Sequence, residues 1–347
     1  MKRKIKKRWI VLSVFAVFVL GCFIWFQIYT HMGTDADIPE EKAVISEEDM
    51  PVVYFTSNIS PESLMAVYEA LGIEAVGNVG VKVHTGAGDN SNYLRPELIG
   101  DFVQSINGTI VECNTASGQS RAETAMHMQI AEDHGFTAIA DVDILDSEGK
   151  MTLPVEGGFH LSEDIVGSHF SDYDFYVVLS HFKGHAAAGF GGALKNISIG
   201  FASSSGKNLI HTAGDSDTNR ITIGYMLGLA GLGGAGQYAF LESMADASKA
   251  VTDYMGDNIL YINVMNRLSV DCDCNENPAE PDMHDIGILA SLDPVALDQA
   301  CVDLIYAAED GASVMERIET RDGVHLLEAA EALGIGYRTY NLLRIDE

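Results

Sequence analysis

One apolar run constrains the fold of this chain more than any other feature. Tyr173 to Leu179 has the composition of a strand buried on both faces. It leads into His181-Phe-Lys-Gly-His185, a glycine-rich turn at Gly189-Phe-Gly-Gly192, and then Lys195, Lys207 and His211. A strand without a polar face belongs inside a sheet that is covered on both sides. Ionisable residues and glycines directly after it are poor core material, because glycine lets a backbone come close to a ligand. Sheets of this kind place their chemistry at strand ends.

The rest of the chain repeats the pattern. Val52-Val-Tyr-Phe55 reads as a strand, Ser60-Pro61 opens a helix to Leu71, and Val76 to Val83 is a second strand. Pro96 to Ile106 is helical, Thr109 to Cys113 a strand, and Arg121 to His134 a helix. Ala138 to His160 reads as strands and turns. Phe240 to Met255 is an amphipathic helix, and Ile259 to Val264 and Asp285 to Ala290 are strands. Asp293-Pro294 opens a helix to Ala307, helices follow between Ala312 and Leu333, and Arg338 to Leu343 closes as a strand. Alternation with short connections predicts the α/β class: a mostly parallel sheet with covering helices, in two lobes around a cleft. Ile221 to Gly236, small and glycine-rich, gives no reading.

Residues 1–8 hold six Lys or Arg and no acid, and residues 9–29 are an apolar run of 21. That length crosses the ~30 Å hydrocarbon core, and the basic end predicts a cytoplasmic tail with the body exported. The expected organisation is a basic tail at 1–8, a signal anchor at 9–29, an acidic linker at 30–51 and an α/β domain at 52–347. Cleavage as a secretory signal, or lipidation at Cys22 in Val19-Leu-Gly-Cys22, are the alternatives. The formal charge is −29, and the six early cations leave the remainder near −35. Such a body is repelled by nucleic acid, so the expected partner is a small molecule, with the membrane met only through the anchor.

Three groups of residues are candidates for chemistry. His181, Lys183, His185, Lys195 and His211 gather around the Gly191-Gly192 turn; a neutral imidazole takes a proton or binds a metal, and a buried lysine can act as a base or nucleophile. His84 follows an earlier strand, so parallel packing brings it to the same cleft, and Arg95 beside it could clamp a carboxylate or phosphate. Asp271-Cys-Asp-Cys274 offers two thiols for a soft divalent metal, a redox pair or a local disulfide.

Lys183-Gly-His185, Gly189 to Asn196, Ser204-Ser-Gly-Lys207 with His211, Val270 to Cys274, and Asp285 to Ala300 resemble the DUF362 family of "iron–sulfur centre" proteins. The resemblance runs from about Val52 to Asp346. Many members carry a ferredoxin-like insert after the segment matching His211, but this chain has no cysteine between His211 and Phe240. A 4Fe–4S cluster is normally held by four thiolates. Outside the apolar run only Cys113, Cys272, Cys274 and Cys301 are present, and Cys301 reads as a core thiol, which argues against a cluster.

His185, Gly189-Phe190, Lys195 and His211 are also similar in spacing to lactate racemases. That similarity implies His185 as base, Lys195 as the amine that holds a nickel-pincer nucleotide, and His211 as a nickel ligand. His84 is the candidate second base; beside that similarity, the residues themselves offer Lys183 as a further catalytic group and Gly191, Gly192 and Arg95, with Lys195, as cofactor contacts. Metal ligands would come from His211, Cys272, Cys274 and His181. The expectation is an anchored, extracytoplasmic metal- or cofactor-dependent enzyme, redox or isomerase, acting on a small polar metabolite. The alternatives are a non-catalytic module that binds a metal or a small anion, and an electron-transfer protein.

Overall fold

The computed structural model describes residues 38–88, 92–116, 121–218 and 235–346. The elements are, in order, β1 (Val52–Thr56), α1 (Pro61–Ala70), β2 (Val79–Lys82), α2 (Pro96–Ser105), β3 (Thr109–Glu112), α3 (Thr124–Asp133), β4 (Val142–Ile144), β5 (Lys150–Pro154) and β6 (Glu163–Gly167). Then follow β7 (Phe175–His181), β8 (Lys183–His185), β9 (Gly189–Gly191), α4 (Ala193–Phe201), α5 (Ser204–His211), α6 (Ala235–Met255) and β10 (Ile259–Met265). The chain ends with β11 (Gly287–Ser291), α7 (Pro294–Ala307), α8 (Ala312–Thr320), α9 (Val324–Ala332) and β12 (Asn341–Arg344). The run at 9–29 and the segment 221–234 lie outside the described residues. Among the described residues, no helix is long and apolar enough to cross a membrane.

Eight strands form one sheet in the order β12-β1-β11-β10-β7-β2-β3-β4. β7, rich in aromatic and β-branched residues and buried at all seven positions, lies near its middle. It pairs in parallel with β10 and β2, and β2 and β3 continue the parallel run to β4. β11 runs the other way, antiparallel to both β10 and β1. No helix joins β10 to β11, and without a crossover helix a strand returns antiparallel. The fold is therefore α/β with a mostly parallel sheet. Two further two-stranded sheets, β5-β6 and β8-β9, accompany it.

Each face of the sheet carries its own core. α1 and α2 cover one face through Leu64, Val67, Ile99 and Phe102; α4, α6 and α7 cover the other through Leu194, Ile197, Met244, Val251, Leu297 and Ala300. The helix starts follow local chemistry. Ser60 accepts from the Ser63 amide ahead of Pro61, and Asp293 accepts from the Val295 and Ala296 amides ahead of Pro294. Such caps contribute about 1 kcal/mol each. Residues 38–51, in the expected linker, are docked against the body: Arg338 Nη2 donates to the Glu40 carbonyl, and the Ala43 amide donates to Glu331.

Because β2, β3, β7 and β10 run the same way, their C-terminal ends share one edge. That edge carries His84, Glu112, His181 and the Asn266–Ile286 loop.

Candidate functional site

A cavity of about 260 Å³ opens at this edge, with His84, His185, Lys195 and His211 all on its wall. Residues from β2, β8, α4 and α5 meet there although they span more than a hundred positions. Gly191, Gly192, His181, Lys183 and Cys274 line it too. Arg95 does not. Its guanidinium stacks on the Tyr93 ring at 4.0 Å, and the arginine that lines the cavity is Arg121.

Two close approaches build the wall. A Cβ on Gly184 would sit 2.5 Å from the Val270 carbonyl, so only glycine lets the Asp271–Cys274 loop reach His185. A Cβ on Gly192 would sit 2.2 Å from the Asp298 carboxylate, which caps α4 through the Ala193 and Leu194 amides at 2.8 and 2.9 Å. Gly191 makes room for the stems of Lys195 and Lys183.

The lining is cationic. Lys82, Arg121, Lys183, Lys195 and Lys207 all reach it, five of the 21 Lys and Arg of a chain with net charge −29. Glu112 answers two of them: Lys82 lies at 3.5 Å and Arg121 at 3.2 Å. Burial alone would raise the Glu112 pKa, but Lys82 and Arg121 outweigh it and hold it well below the usual carboxylate range. Burial lowers the pKa of Lys82 and of Lys207, whose Nζ donates to the Ala202 carbonyl. Asp273, fully buried, takes Lys183 at 2.9 Å and His181 Nδ1 at 2.9 Å. Burial opposes the Lys183 charge, and Asp273 outweighs burial and raises its pKa.

The histidines differ in what they offer. His181 uses Nδ1 on Asp273 and donates Nε2–H to the Asn266 carbonyl at 2.6 Å, so neither nitrogen is open to a metal. It is a structural post rather than the ligand the sequence suggested. His185 Nδ1 accepts from the Ala187 and Ala188 amides at 3.2 and 2.9 Å. Its proton therefore sits on Nε2 and is given to Cys272, which makes this ring a donor and removes it as the base. Burial, then Lys195, brings its pKa down to about 4.

His211 has the opposite tautomer: Nδ1–H donates to the Lys207 carbonyl at 2.6 Å, which leaves Nε2 as the basic nitrogen. Burial lowers its pKa to about 4, and the ring stacks on Phe240. His84 meets a donor at each nitrogen, the Gly86 amide at Nδ1 and Arg121 Nη2 at Nε2, both at 2.9 Å. A neutral ring accepts at only one nitrogen, so one contact goes unmade. Burial and Arg121 lower its pKa to about 3, so charging the ring is no remedy.

Donor atoms of His185, Cys272 and Cys274 lie within 4.8 Å of one another, a spread that suits a soft ion. His211 and His181 are not in that group. Cys272 receives the Cys274 backbone N–H at 3.5 Å, and Lys195 Nζ lies 4.0 Å from its sulfur. A metal-bound imidazole normally donates its other N–H, whereas His185 Nδ1 accepts. Two lysine charges beside the sulfurs also oppose a cation. The group fits a stabilised thiolate better than a three-ligand metal centre. The Cys274 thiol, then Lys195 and Lys183, outweigh burial and lower the Cys272 pKa well below its ordinary value. Cys113 and Cys301 stand apart, bonded to the Phe201 carbonyl and to Asn263.

Lys82, Glu112 and Arg121 are not singled out by the sequence as site residues. The available signal was a lysine inside the apolar strand Val79-Gly-Val-Lys82-Val.

An eight-stranded, mostly parallel sheet covered by helices, with a cation-lined cavity at its C-terminal edge, defines the class of this protein. Residues 79–303 match the family model described as a domain of unknown function, DUF362, and the chain belongs to that family. No curated protein matches it. Among solved structures, the lactate racemase apoprotein from Thermoanaerobacterium thermosaccharolyticum is 16% identical with a TM-score of 0.35, covering 65% of this chain and 54% of that one. A protein from Thermotoga maritima is 15% identical with a TM-score of 0.42, covering 72% of this chain and 58% of that one. The chain spans little more than half the length of either, and likeness at these scores bears on no residue of the site.

Proposed function

We propose that the cavity is the active site of an enzyme acting on a small carboxylate- or phosphate-bearing metabolite. The observation that carries this reading is the collection of five Lys and Arg side chains on one cavity of a strongly acidic protein. Glu112 and Asp273 balance only part of that charge. An anion completes the balance, and by drawing Arg121 towards itself it relieves the double-donor contact at His84. Lys195 and Arg121 hold the anion, with the neutral rings of His84 and His211 on the same wall. A volume of about 260 Å³ suits a metabolite of a few heavy atoms; drug-sized ligands occupy roughly 300–1,000 Å³.

Thermal unfolding with single probes tests the reading. Inorganic phosphate, pyrophosphate, lactate or citrate should raise Tm in the wild type and not in Lys195→Gln; glycerol and putrescine should have no effect. Stabilisation by the neutral or cationic probes alone would defeat it. Metal content of the same preparation decides whether an ion takes part.

The run at 9–29 and the basic residues before it support the further proposal that the protein is held on the outer face of a membrane. The full chain should resist alkaline carbonate extraction, and a chain lacking residues 1–29 should be released. Release of the full chain would remove the anchor.

A further inference from the structure

The Cys272–Cys274 loop has chemistry that the anion-binding reading does not use, and its position is unusual. It forms the wall between two spaces. Cys274 and His185 line the inner cavity, and both, with Cys272, also line an outer cleft of about 470 Å³ beside Asp271 and Glu276.

The loop is pinned on alternate sides. Asp271 accepts the Ala279 amide at 3.0 Å and meets Arg317 at 3.4 Å, and Asp273 is held by His181 and Lys183. The two sulfurs are thereby kept close, one residue apart. Among the described residues, donors converge on Cys272: the Cys274 amide, the Lys195 ammonium and the His185 ring all address it. The same lysines that discourage a cation stabilise an anionic sulfur. This is an asymmetric pair, with one sulfur supported as an anion and its neighbour placed to resolve an adduct.

We propose that Cys272 and Cys274 are a redox-active dithiol that exchanges two electrons with a small disulfide entering through the outer cleft. In the first step the Cys272 thiolate attacks one sulfur of R–S–S–R. A Cys272–S–S–R bond forms, the R–S–S–R bond breaks, and RS⁻ leaves and takes a proton from water. Cys274 then attacks Cys272 Sγ, forming the Cys272–Cys274 disulfide and expelling a second RS⁻, which takes up the Cys274 proton. The protein loses two electrons and the disulfide is reduced to two thiols. Asp271 and Glu276 at the cleft favour a cationic disulfide over an anionic one. The proposal goes beyond the anion reading and does not depend on it, because the outer cleft is reached whether or not the inner cavity is filled.

The test uses the reduced full-length chain with cystamine as the cationic disulfide and dithiodiglycolate as the anionic one, read by mass spectrometry of digests. Wild type should form the Cys272–Cys274 disulfide and release two equivalents of cysteamine per chain. Cys274→Ser should accumulate a cysteamine adduct on Cys272. Cys272→Ser should react at least about tenfold more slowly, and dithiodiglycolate should be slower than cystamine in the wild type. Equal rates in wild type and Cys272→Ser, or adducts only on Cys113 and Cys301, would overturn the proposal. A full equivalent of bound metal that is lost in Cys272→Ser and that blocks cystamine would overturn it in favour of a metal site.

Discussion

Two histidine clusters in this protein sit in opposite electrostatic surroundings, and the contrast supports the proposal that the inner one takes a ligand. In the cavity, His84, His185 and His211 are surrounded by lysine and arginine, and burial holds their pKa values down at about 3, 4 and 4. On the far side of α6, His325 bridges Glu242 and Glu328 at 3.0 and 3.3 Å. Burial again opposes its charge, but the two carboxylates outweigh burial and raise its pKa to about 9. His160 contributes a second bond to Glu242. The outer cluster has its own counter-charges and holds α6 to α9. The inner one gathers bases and cations around fewer carboxylates, which is the imbalance that the proposed anion would offset.

The largest effect that separates inner from outer charge is expected at Asp273. Asp273→Ala leaves Lys183 and His181 buried without their carboxylate, and should cost about 3–5 kcal/mol in urea unfolding. Asp271→Ala breaks a half-exposed pair with Arg317 and should cost about 1 kcal/mol or less. Equal costs would mean that the loop's inner anchor carries no special weight.

A smaller effect is expected in the pH dependence of stability. The cavity histidines bind protons in the unfolded chain near the ordinary value of 6.5, but in the folded chain only near 3 to 4. They cost stability as pH falls from about 6.5 to about 4. His325 works the other way: its contribution is complete below about 6.5 and is lost as pH rises through about 9. Urea midpoints should fall on both sides, with the acid limb flattened in His211→Asn and the alkaline limb flattened in His325→Asn. Acid and alkaline limbs that both survive these substitutions would contradict the assignment.

Much of the fold was legible because period and composition agreed. β7 and β10 are continuous apolar runs, and α1 and α7 start at Ser60-Pro61 and Asp293-Pro294. α4 and α5 were not read as helices: glycines and serines dominate their starts, and their order comes from Asp298 at one N-terminus and Ser203 at the other. The reversed direction of β11 depends on a helix-free connection, which strand periodicity does not report. In the site, His185, Lys195, His211 and the cysteine pair stood out because reactive residues beside glycine are conspicuous. Roles were less legible than positions. Which nitrogen of His185 or His211 carries the proton depends on the Ala187, Ala188 and Lys207 backbone, and no spacing encodes that. Lys82 and Glu112 were missed because a charge buried by a distant partner looks, in sequence, like a charge facing water.

Native mass spectrometry of the protein purified without extensive dialysis tests the central claim most directly. The account predicts a bound small anion in the wild type, displaced by excess pyrophosphate and lost in Lys195→Gln while the fold is retained. A wild-type protein that carries only a cation or a neutral molecule, indifferent to pyrophosphate and unchanged in Lys195→Gln, would contradict it.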